Sequence, residues 1–231
     1  MKPFKFRNFT IHQSGNVFRV GTDGVLLGVL CSANHSEKIL EVGTGTGLIS
    51  LMIAQRNPQA EILSLDINEE AEKLAAENFS NSPFKDRMQT IHQDFKDFET
   101  GEKFGLIISN PPYFEENPSE KDILARQQTE LSFDHLISKT AELLSETGIF
   151  SVIIPFEAGN EFEEKCLKQS LFLQKRIKIF GIKNAKAKRC ILEFGFEQRN
   201  ISESEFVIEK SPRKYSDEYL ELTQEFHVFG Q

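Results

Sequence analysis

Apolar and charged segments alternate along most of the chain, and their periods predict strands separated by helices. The predicted strands are seven apolar runs: Lys38–Val42, Glu61–Asp66, Met88–Gln93, Gly105–Ser109, Ile149–Pro155, Phe172–Phe180 and Cys190–Gln198. The predicted helices between them are Leu48–Gln55, Glu69–Phe79, Phe133–Leu144 and Glu161–Gln169. Strands joined by helices form a mainly parallel sheet covered on both faces, so the predicted fold class is α/β.

Both ends of the chain depart from this alternation. No helix separates the last two predicted strands, so we expect them to pair antiparallel. Residues 4–20 alternate loosely around Ser14-Gly15-Asn16, which predicts a hairpin, and a short helix capped at Thr22-Asp23-Gly24 follows. We expect a single domain over residues 1–231, with an extension at 1–37, a core at 38–198 and a charged tail at 199–231 that packs on the core.

Composition narrows the class of protein. A net charge of −8 over 231 residues disfavours a generally basic, nucleic-acid-coating surface, although a local basic patch is compatible with it. The cysteines are widely spaced and the histidines lack ligand spacing, so we expect neither a disulfide framework nor a metal site. No signal-peptide core or membrane-spanning run is evident, and we expect a monomeric cytoplasmic protein with no membrane partner.

The segment ILEVGTGTG, residues 39–47, runs from an apolar strand into a glycine-rich turn. Its GxGxG spacing differs from the GxGxxG of dinucleotide-binding loops, because Leu48 stands where the third glycine would be. Glu41 places a carboxylate beside the turn, where it would repel a phosphate and attract an ammonium. S-adenosylmethionine carries an ammonium and a sulfonium but no phosphate, so this loop favours it over a nicotinamide dinucleotide.

Acidic residues end the next two strands. Asp66 is placed to bind the ribose hydroxyls of an adenosine ligand, and Asp94 to accept a hydrogen bond from its adenine amino group, because carboxyl ends of parallel strands share one edge. The predicted cofactor-binding residues are Glu41, Gly43, Thr44, Gly45, Gly47, Asp66, Ile67, Asp94, Phe95 and Asn110. From about Lys38 to Gln198 the chain resembles class I S-adenosylmethionine-dependent methyltransferases, which implies strand order 3-2-1-4-5-7-6 with strand 7 antiparallel.

The fourth predicted strand runs into Asn110-Pro111-Pro112-Tyr113. The prolines stiffen the turn and lack N–H groups, so the loop presents carbonyls, and Asn110 adds a side-chain carbonyl. Two acceptors suit a planar amino group, and the Tyr113 ring offers a face on which a base can stack. The tetrapeptide resembles motif IV of methyltransferases that act on the amino group of adenine, of guanine or of a protein glutamine, which implies catalytic roles for these four residues.

Four segments resemble the bacterial family that methylates adenine N6 next to the anticodon of a valine tRNA. They are FKFRNFTIHQ with GTDGVLLG after it, EVGTGTGLISLMIAQRNP, NPPYF, and ARQQTELSFDHLI. The resemblance spans nearly the whole chain. It implies a tRNA substrate, places Thr22 and Asp23 near the methionine end of the cofactor, and places Arg126 in a loop over the substrate. This loop reads Arg-Gln-Gln, whereas relatives often have a histidine after the arginine.

The connection between the last two predicted strands is basic. Its candidate RNA-binding residues are Lys183, Lys186, Lys188 and Arg189. Several cations in one loop fit phosphate contacts, although lysines also protect exposed sheet edges.

Four alternative functions have discriminating features. A glutamine methyltransferase acting on a translation factor would share the NPPY motif, but we would expect a helical domain before the first strand. A DNA adenine methyltransferase would be expected to carry a target-recognition domain. A regulatory module that has lost catalysis is disfavoured by the intact NPPY, and a nicotinamide-dependent oxidoreductase by the glycine spacing and Glu41.

Overall fold

A computed structural model describes residues 1–17, 19–112 and 131–227. Its helices are α1 Thr22–Leu30, α2 Leu48–Arg56, α3 Glu69–Ser80, α4 Phe133–Leu143, α5 Gly159–Lys168 and α6 Asp217–Thr223. Its strands are β1 Phe4–Lys5, β2 Thr10–Ile11, β3 Lys38–Val42, β4 Glu61–Asp66, β5 Met88–His92, β6 Phe104–Ser109, β7 Leu144–Pro155, β8 Phe172–Ile182, β9 Ala187–Gly195, β10 Ser202–Ser211 and β11 Lys214–Tyr215.

The main sheet holds the strands β3 to β11 in the order β5-β4-β3-β6-β7-β9-β8-β10-β11. Counted from β3, its first seven strands therefore run 3-2-1-4-5-7-6. The seventh of these, β9, pairs antiparallel with both β7 and β8 because a short turn, with no helix, joins β8 to β9. The strands β3, β4, β5, β6 and β7 are parallel, so their carboxyl ends lie at one edge of the sheet.

The sheet separates two apolar cores. Helices α1, α2 and α3 cover one face, and α4 and α5 cover the other. Alternate residues of a central strand serve opposite cores, as Ile39 and Leu40 of β3 do, and both side chains are fully buried. Burial on both faces explains why the central strands are continuous apolar runs.

The amino-terminal hairpin turns earlier than the sequence predicts. Its strands pair Phe4 with Ile11, and the Phe6 N–H donates to the carbonyl of Phe9 at 2.9 Å, so the turn lies at residues 7 and 8. The prediction of a turn at Ser14-Gly15-Asn16 is wrong. The Phe6 and Phe9 rings, 4.7 Å apart, are both buried, and the earlier turn brings both side chains into the core.

The tail contains structure that the sequence analysis missed. Strands β10 and β11 extend the sheet, and β10 pairs in parallel with β8. A strand near the edge of a sheet buries little apolar surface, so its sequence shows only a weak hydrophobic pattern and is hard to predict. Here an acid of β10 meets cations of β8 instead: Glu203 lies 3.5 Å from Arg176 and 4.0 Å from Lys178. The buried Tyr219 and Phe226 then attach the rest of the tail to the first core.

Cationic side chains fix the carboxyl end of α1. Arg56, the last residue of α2, donates to the carbonyls of Gly28 at 2.8 Å and Cys31 at 3.0 Å. Lys175 of β8 donates to the carbonyl of Leu30 at 2.7 Å. These bonds satisfy carbonyls that have no partner within the helix, and positive charge is favourable at that helix end.

Glu193, a buried residue of β9, completes this attachment. Its carboxylate accepts from both the backbone N–H and the hydroxyl of Ser32, each at 2.7 Å, and lies 3.6 Å from the Lys175 ammonium. The segment after α1 is therefore attached to strands β8 and β9 by a network of hydrogen bonds and an ion pair.

We expect Glu193→Ala to lower the free energy of unfolding by about 3 kcal/mol, because the change leaves the Ser32 N–H without its acceptor and the Lys175 ammonium without its buried counter-charge. Urea unfolding measures this loss. The matched control is Glu197→Ala, an exposed acid just beyond the same strand, which should change the stability by less than about 0.5 kcal/mol. Equal effects of the two substitutions would contradict this role of Glu193.

Candidate active site

Strand register brings most of the predicted site residues together. Val42 pairs with Leu65 of β4 and with Ser109 of β6, so Gly43 lies beside Asp66 on one side and Asn110 on the other. The Ser109 hydroxyl donates to the Val42 carbonyl at 2.9 Å and fixes this register. Asp66 in turn pairs with His92 of β5, which places Asp94 next in the same row.

The buried carboxylate of Glu41 holds the glycine-rich turn. Its Oε2 atom accepts from the hydroxyls of Thr44, at 2.8 Å, and Ser50. Among the described residues, its Oε1 atom has no hydrogen-bond partner. Burial raises the pKa of the Glu41 carboxyl to about 7, and the hydrogen bonds from Ser50 and Thr44 offset part of that rise.

The three glycines have positive φ and serve two purposes. A Cβ added at Gly43 or Gly45 would meet nothing within 4 Å, so these residues form an open shelf. A Cβ at Gly47 would lie 2.4 Å from the Phe79 ring, so that glycine lets the loop pack on α3. The shelf is thus open on its ligand side and tightly packed behind.

Asp66 supports the loop while remaining partly exposed. It accepts from the backbone N–H of Gly45 at 2.8 Å and of Asn68 at 2.9 Å. The next residue, Ile67, is 48% exposed, which is unusual for an isoleucine and leaves an apolar face open beside the shelf. Asp66 and Ile67 thus offer acceptors and an apolar surface next to each other.

Asp94 and Phe95 occupy different environments. Asp94 caps a short 3-10 turn through the Lys96 N–H, at 2.9 Å, and pairs with the Lys96 ammonium at 3.1 Å. The Phe95 ring is buried in the second core. The side chain of Phe95 therefore faces the core, and only its backbone is available to a ligand. Asp94 is more exposed and is the better candidate for a hydrogen bond to the cofactor.

The start of α1 lies close to the glycine loop. A Cβ added at Gly24 would sit 3.1 Å from the Leu48 side chain, at the first residue of α2. Thr22 is exposed there, and Asp23 accepts from the guanidinium of Arg189 at 3.0 Å. Gly24 and Gly28 therefore allow α1 to pack closely on α2.

The NPPY segment follows β6 directly. Asn110 is half-buried beside Gly43, Pro111 is buried and Pro112 is exposed. Tyr113 and Arg126 lie outside the described residues.

The predicted basic loop divides into two groups. Lys183, Lys186 and Lys188 are exposed. Lys188 and Arg189 both belong to β9, so their prediction as loop residues was wrong. Arg189 also forms an ion pair with Asp23. Both residues lie in β9 because the turn is short, with β8 ending at Ile182 and β9 beginning at Ala187.

Two supporting groups were missed in the sequence. Asn78 of α3 is fully buried; it donates to the Thr46 carbonyl at 2.9 Å and accepts from the His12 N–H at 2.8 Å. Ser50 bonds to Ser64 of β4 at 2.8 Å. Asn78 follows Ala71 and Ala75 on the apolar stripe of its helix, and a polar residue at such a position signals a specific partner.

The residues present fit S-adenosylmethionine. The ligand carries an ammonium, a ribose and a flat aromatic ring. The site offers it the open shelf, the free Glu41 oxygen, the half-exposed Asp66 and the exposed Ile67. No helix in the described residues is long and apolar enough to cross a membrane.

Comparison with known protein families agrees with this geometry. The model of the methyltransferase small domain matches residues 8–171. A Flavobacteriaceae bacterium protein named tRNA1(Val) (adenine(37)-N6)-methyltransferase is 58% identical, covering 99% of this chain and 100% of its own. A Bacteroides thetaiotaomicron protein of the same name is 35% identical, covering 97% of each chain.

Solved structures share the fold at low identity. A predicted O-methyltransferase from Agrobacterium tumefaciens has a TM-score of 0.69 at 17% identity, covering 88% of this chain and 96% of its own. The N-methyltransferase NodS from Bradyrhizobium japonicum, in complex with S-adenosyl-L-homocysteine, has a TM-score of 0.54 at 16% identity, covering 75% and 83%. These similarities establish a class I methyltransferase fold.

We expect the buried Glu41 to make the ligand-free protein less stable as the pH rises. Its pKa is raised on folding, from 4.5 to about 7. The folded state therefore favours the protonated acid, and that stability is present below pH 4.5 and lost as the pH rises through 7. The full loss is of the order of 3 kcal/mol.

Urea unfolding of the wild type and Glu41→Gln at pH 5 and pH 8 measures this effect. The variant cannot ionise at this position. Its free energy of unfolding should therefore rise, relative to that of the wild type, by most of that amount between pH 5 and pH 8. A constant difference would mean that Glu41 does not titrate in this range.

Proposed function

The chain belongs to the tRNA1(Val) (adenine(37)-N6)-methyltransferases, within the methyltransferase small-domain family, and from that premise we propose how it methylates the exocyclic N6 of adenosine 37 in a valine tRNA. The observation that carries the proposal is the register of β3 with β6, which sets the glycine shelf beside Asn110. A cofactor on the shelf and a base at the NPPY loop then meet at one edge of the sheet. The whole chain acts as a single unit, as a monomer in the cytoplasm where tRNA is found.

Each cofactor-binding residue contacts a different part of S-adenosylmethionine. Asp66 accepts from the ribose hydroxyls, Ile67 packs on the adenine ring, and Asp94 accepts from the adenine amino group. The free oxygen of Glu41 provides negative potential for the methionine ammonium. Thr22 and Asp23 lie near the same end of the cofactor, where Asp23, although paired with Arg189, can accept a hydrogen bond. Gly43 and Gly45 allow close contact with the backbone because they carry no side chain.

When bound, S-adenosylmethionine supplies an electrophilic methyl group on a sulfonium. The side-chain carbonyl of Asn110 and the backbone carbonyl of Pro111 accept the two N6 hydrogens of the target adenine. These acceptors favour a pyramidal nitrogen and stabilise the positive charge that develops on it. They also hold the nitrogen in line with the methyl group. A strong base is not needed before transfer, because the amine becomes acidic only once it carries the methyl group.

Tyr113 completes the proposed site as a stacking surface for the target base, and Arg126 as a contact from the loop over it. Exposed lysines of the β8–β9 turn provide phosphate contacts. The alternative of a translation-factor glutamine as substrate shares the same acceptor loop. It is disfavoured because the relatives named above are tRNA methyltransferases.

Asp66→Ala should weaken binding of S-adenosylhomocysteine by 10- to 100-fold, roughly 1.5–3 kcal/mol, because a partly buried acceptor is lost. The same substitution frees the Gly45 N–H and loosens the shelf. Calorimetry measures the affinity, with Asp97→Ala as the control for an exposed acid of the neighbouring turn. Unchanged affinity in Asp66→Ala would remove Asp66 from the ribose site.

Asn110→Ala should reduce turnover on tRNA by about 10²–10³, the range for losing one preorganised polar contact to a developing charge. Cofactor affinity should stay within a few-fold, because the lost amide faces the acceptor base. Asn160→Ala, an exposed asparagine of α5, is the control.

Mass spectrometry of nucleosides after reaction with labelled cofactor identifies the product. N6-methyladenosine is expected. A methyl group on a ring atom or ribose oxygen would contradict the paired-acceptor argument. Methylation of a release-factor glutamine, with none on tRNA, would show that the alternative function, glutamine methylation, is the right one.

A further inference from the structure

Two basic turns leave the sheet side by side at the edge that carries the proposed active site. The turn between β8 and β9 contains Lys183 and Lys186, and the turn between β10 and β11 contains Arg213, with Lys214 directly after it. Strand β10 runs parallel to β8, and their last register pair is Glu209 with Ile182, so the two turns begin at the same level. Because β7 and β8 both pair antiparallel with β9, β8 ends at the same edge as β7 and its parallel neighbour β6.

Neighbouring cations on the strands are neutralised by acids. Arg176 pairs with Glu163 and Glu203, and Lys210 pairs with Asp217 at 2.7 Å. Lys178 also lies near Glu203, and Arg189 pairs with Asp23. The cations of β8, β9 and β10 that form these pairs therefore serve the packing of the fold.

The turn cations differ from those on the strands. Lys183, Lys186, Arg213 and Lys214 are all exposed. In the part of the chain that the structure describes, none of the four side chains forms an ion pair with an acid. One acid reaches the second turn, since the Glu209 carboxylate accepts from the Arg213 backbone N–H at 3.0 Å. The four exposed cations outnumber it, so on a chain of net charge −8 the adjacent tips form a local positive surface, which we call the twin-turn surface.

The backbone conformation of the second turn also indicates a role for Arg213. Arg213 has φ 64°, in the left-handed region that a side chain occupies at a cost of roughly 1–2 kcal/mol. Glycine or asparagine would relieve that cost, and the first turn does place Asn184 at φ 66°. An arginine held in this conformation suggests that its side chain has a use beyond forming the turn.

The distance to the proposed active site indicates which part of an RNA could reach the twin-turn surface. Four inter-strand spacings separate β10 from β6, the strand that ends at Asn110. At ~4.8 Å each they span about 20 Å. A helical nucleic-acid strand advances about 3 Å per nucleotide along its axis, so this distance corresponds to roughly six or seven nucleotides from the target base.

We infer that the twin-turn surface binds the phosphate backbone of the base-paired stem that adjoins the loop carrying the target adenosine. This inference rests on the proposed function and extends it to the β10–β11 turn, in the part of the chain beyond the seven core strands. The surface reads charge and shape, because phosphate contacts position a nucleic acid without reading its bases. An acidic protein partner is the competing occupant, and tRNA binding tests the choice between them.

The decisive variant is Arg213→Gly. Glycine accepts the positive φ, so the variant should fold at least as stably as the wild type while losing one cation. Affinity for the full-length tRNA, measured by fluorescence anisotropy at several salt concentrations, should fall roughly 3- to 10-fold, and the salt slope should fall by about one. The affinity for S-adenosylhomocysteine should not change. In turnover assays KM for tRNA should rise, while kcat at saturating tRNA stays the same.

Two comparisons make the test specific. Arg199→Gly removes an exposed arginine between β9 and β10, at the opposite edge of the sheet, and should leave tRNA affinity and salt slope as they are. A single-stranded oligonucleotide with the loop sequence but no stem should bind wild type and Arg213→Gly equally. Lys183→Ala with Lys186→Ala should show the same dependence on the stem.

The outcomes separate this inference from the proposed function. If the wild type methylates tRNA and Arg213→Gly binds it with unchanged affinity and salt slope, the inference is wrong and the function stands. Equal weakening on the stemless oligonucleotide would also overturn it, because the contact would then be to the loop. A wild type that neither binds nor methylates tRNA would overturn the proposed function itself.

Discussion

The proposed cofactor edge of this protein depends on one buried carboxylate. Glu41 lies at the end of the central strand, and its Oε2 atom receives the hydroxyls of Thr44 in the glycine loop and Ser50 in α2. Strand, loop and helix are therefore joined at a single oxygen. Ser50 extends the connection to Ser64 of β4, so the second strand is tied to the same point. Burying an acid lowers the stability of the folded protein unless its oxygens accept hydrogen bonds. The Oε1 atom has no such bond among the described residues, so it could accept one from a cationic group of a ligand.

A second constraint links the ends of the chain to this edge. Asn78 holds both the carbonyl of Thr46 and the backbone of His12, which attaches the amino-terminal segment to the back of the glycine loop. The amino-terminal hairpin is in turn fastened to the carboxyl-terminal tail, since the Arg7 N–H donates to the Phe226 carbonyl at 2.8 Å. The extension and the tail are thus part of the support of the site, although neither belongs to the class I core.

Much of the site could be predicted because its signals are local. A glycine spacing, a strand that ends in an acid and a Pro-Pro turn each lie within a few consecutive residues, and parallel strands align their carboxyl ends whatever the loops between them do. The central strands were equally readable, because burial on both faces demands a continuous apolar run. Phe95 shows where this reasoning stops, since a position beside the site does not reveal that the ring points into the core.

What the amino-acid sequence determined by itself was the α/β class, the cofactor and the family. The tertiary structure decided the turn of the amino-terminal hairpin, the two added strands and the partners of the charged residues. The tail was expected to pack on the core, but its strand β10 leaves no clear apolar pattern because half of its residues are exposed. Only the spatial meeting of Glu203 with Arg176 and Lys178 shows why it joins the sheet. Likewise Arg189 and Lys188 are adjacent in sequence, yet Arg189 lies against Asp23, 166 residues away along the chain, while Lys188 is exposed. Ion pairing between distant residues leaves no periodic trace in a sequence, because it depends on which strands become neighbours.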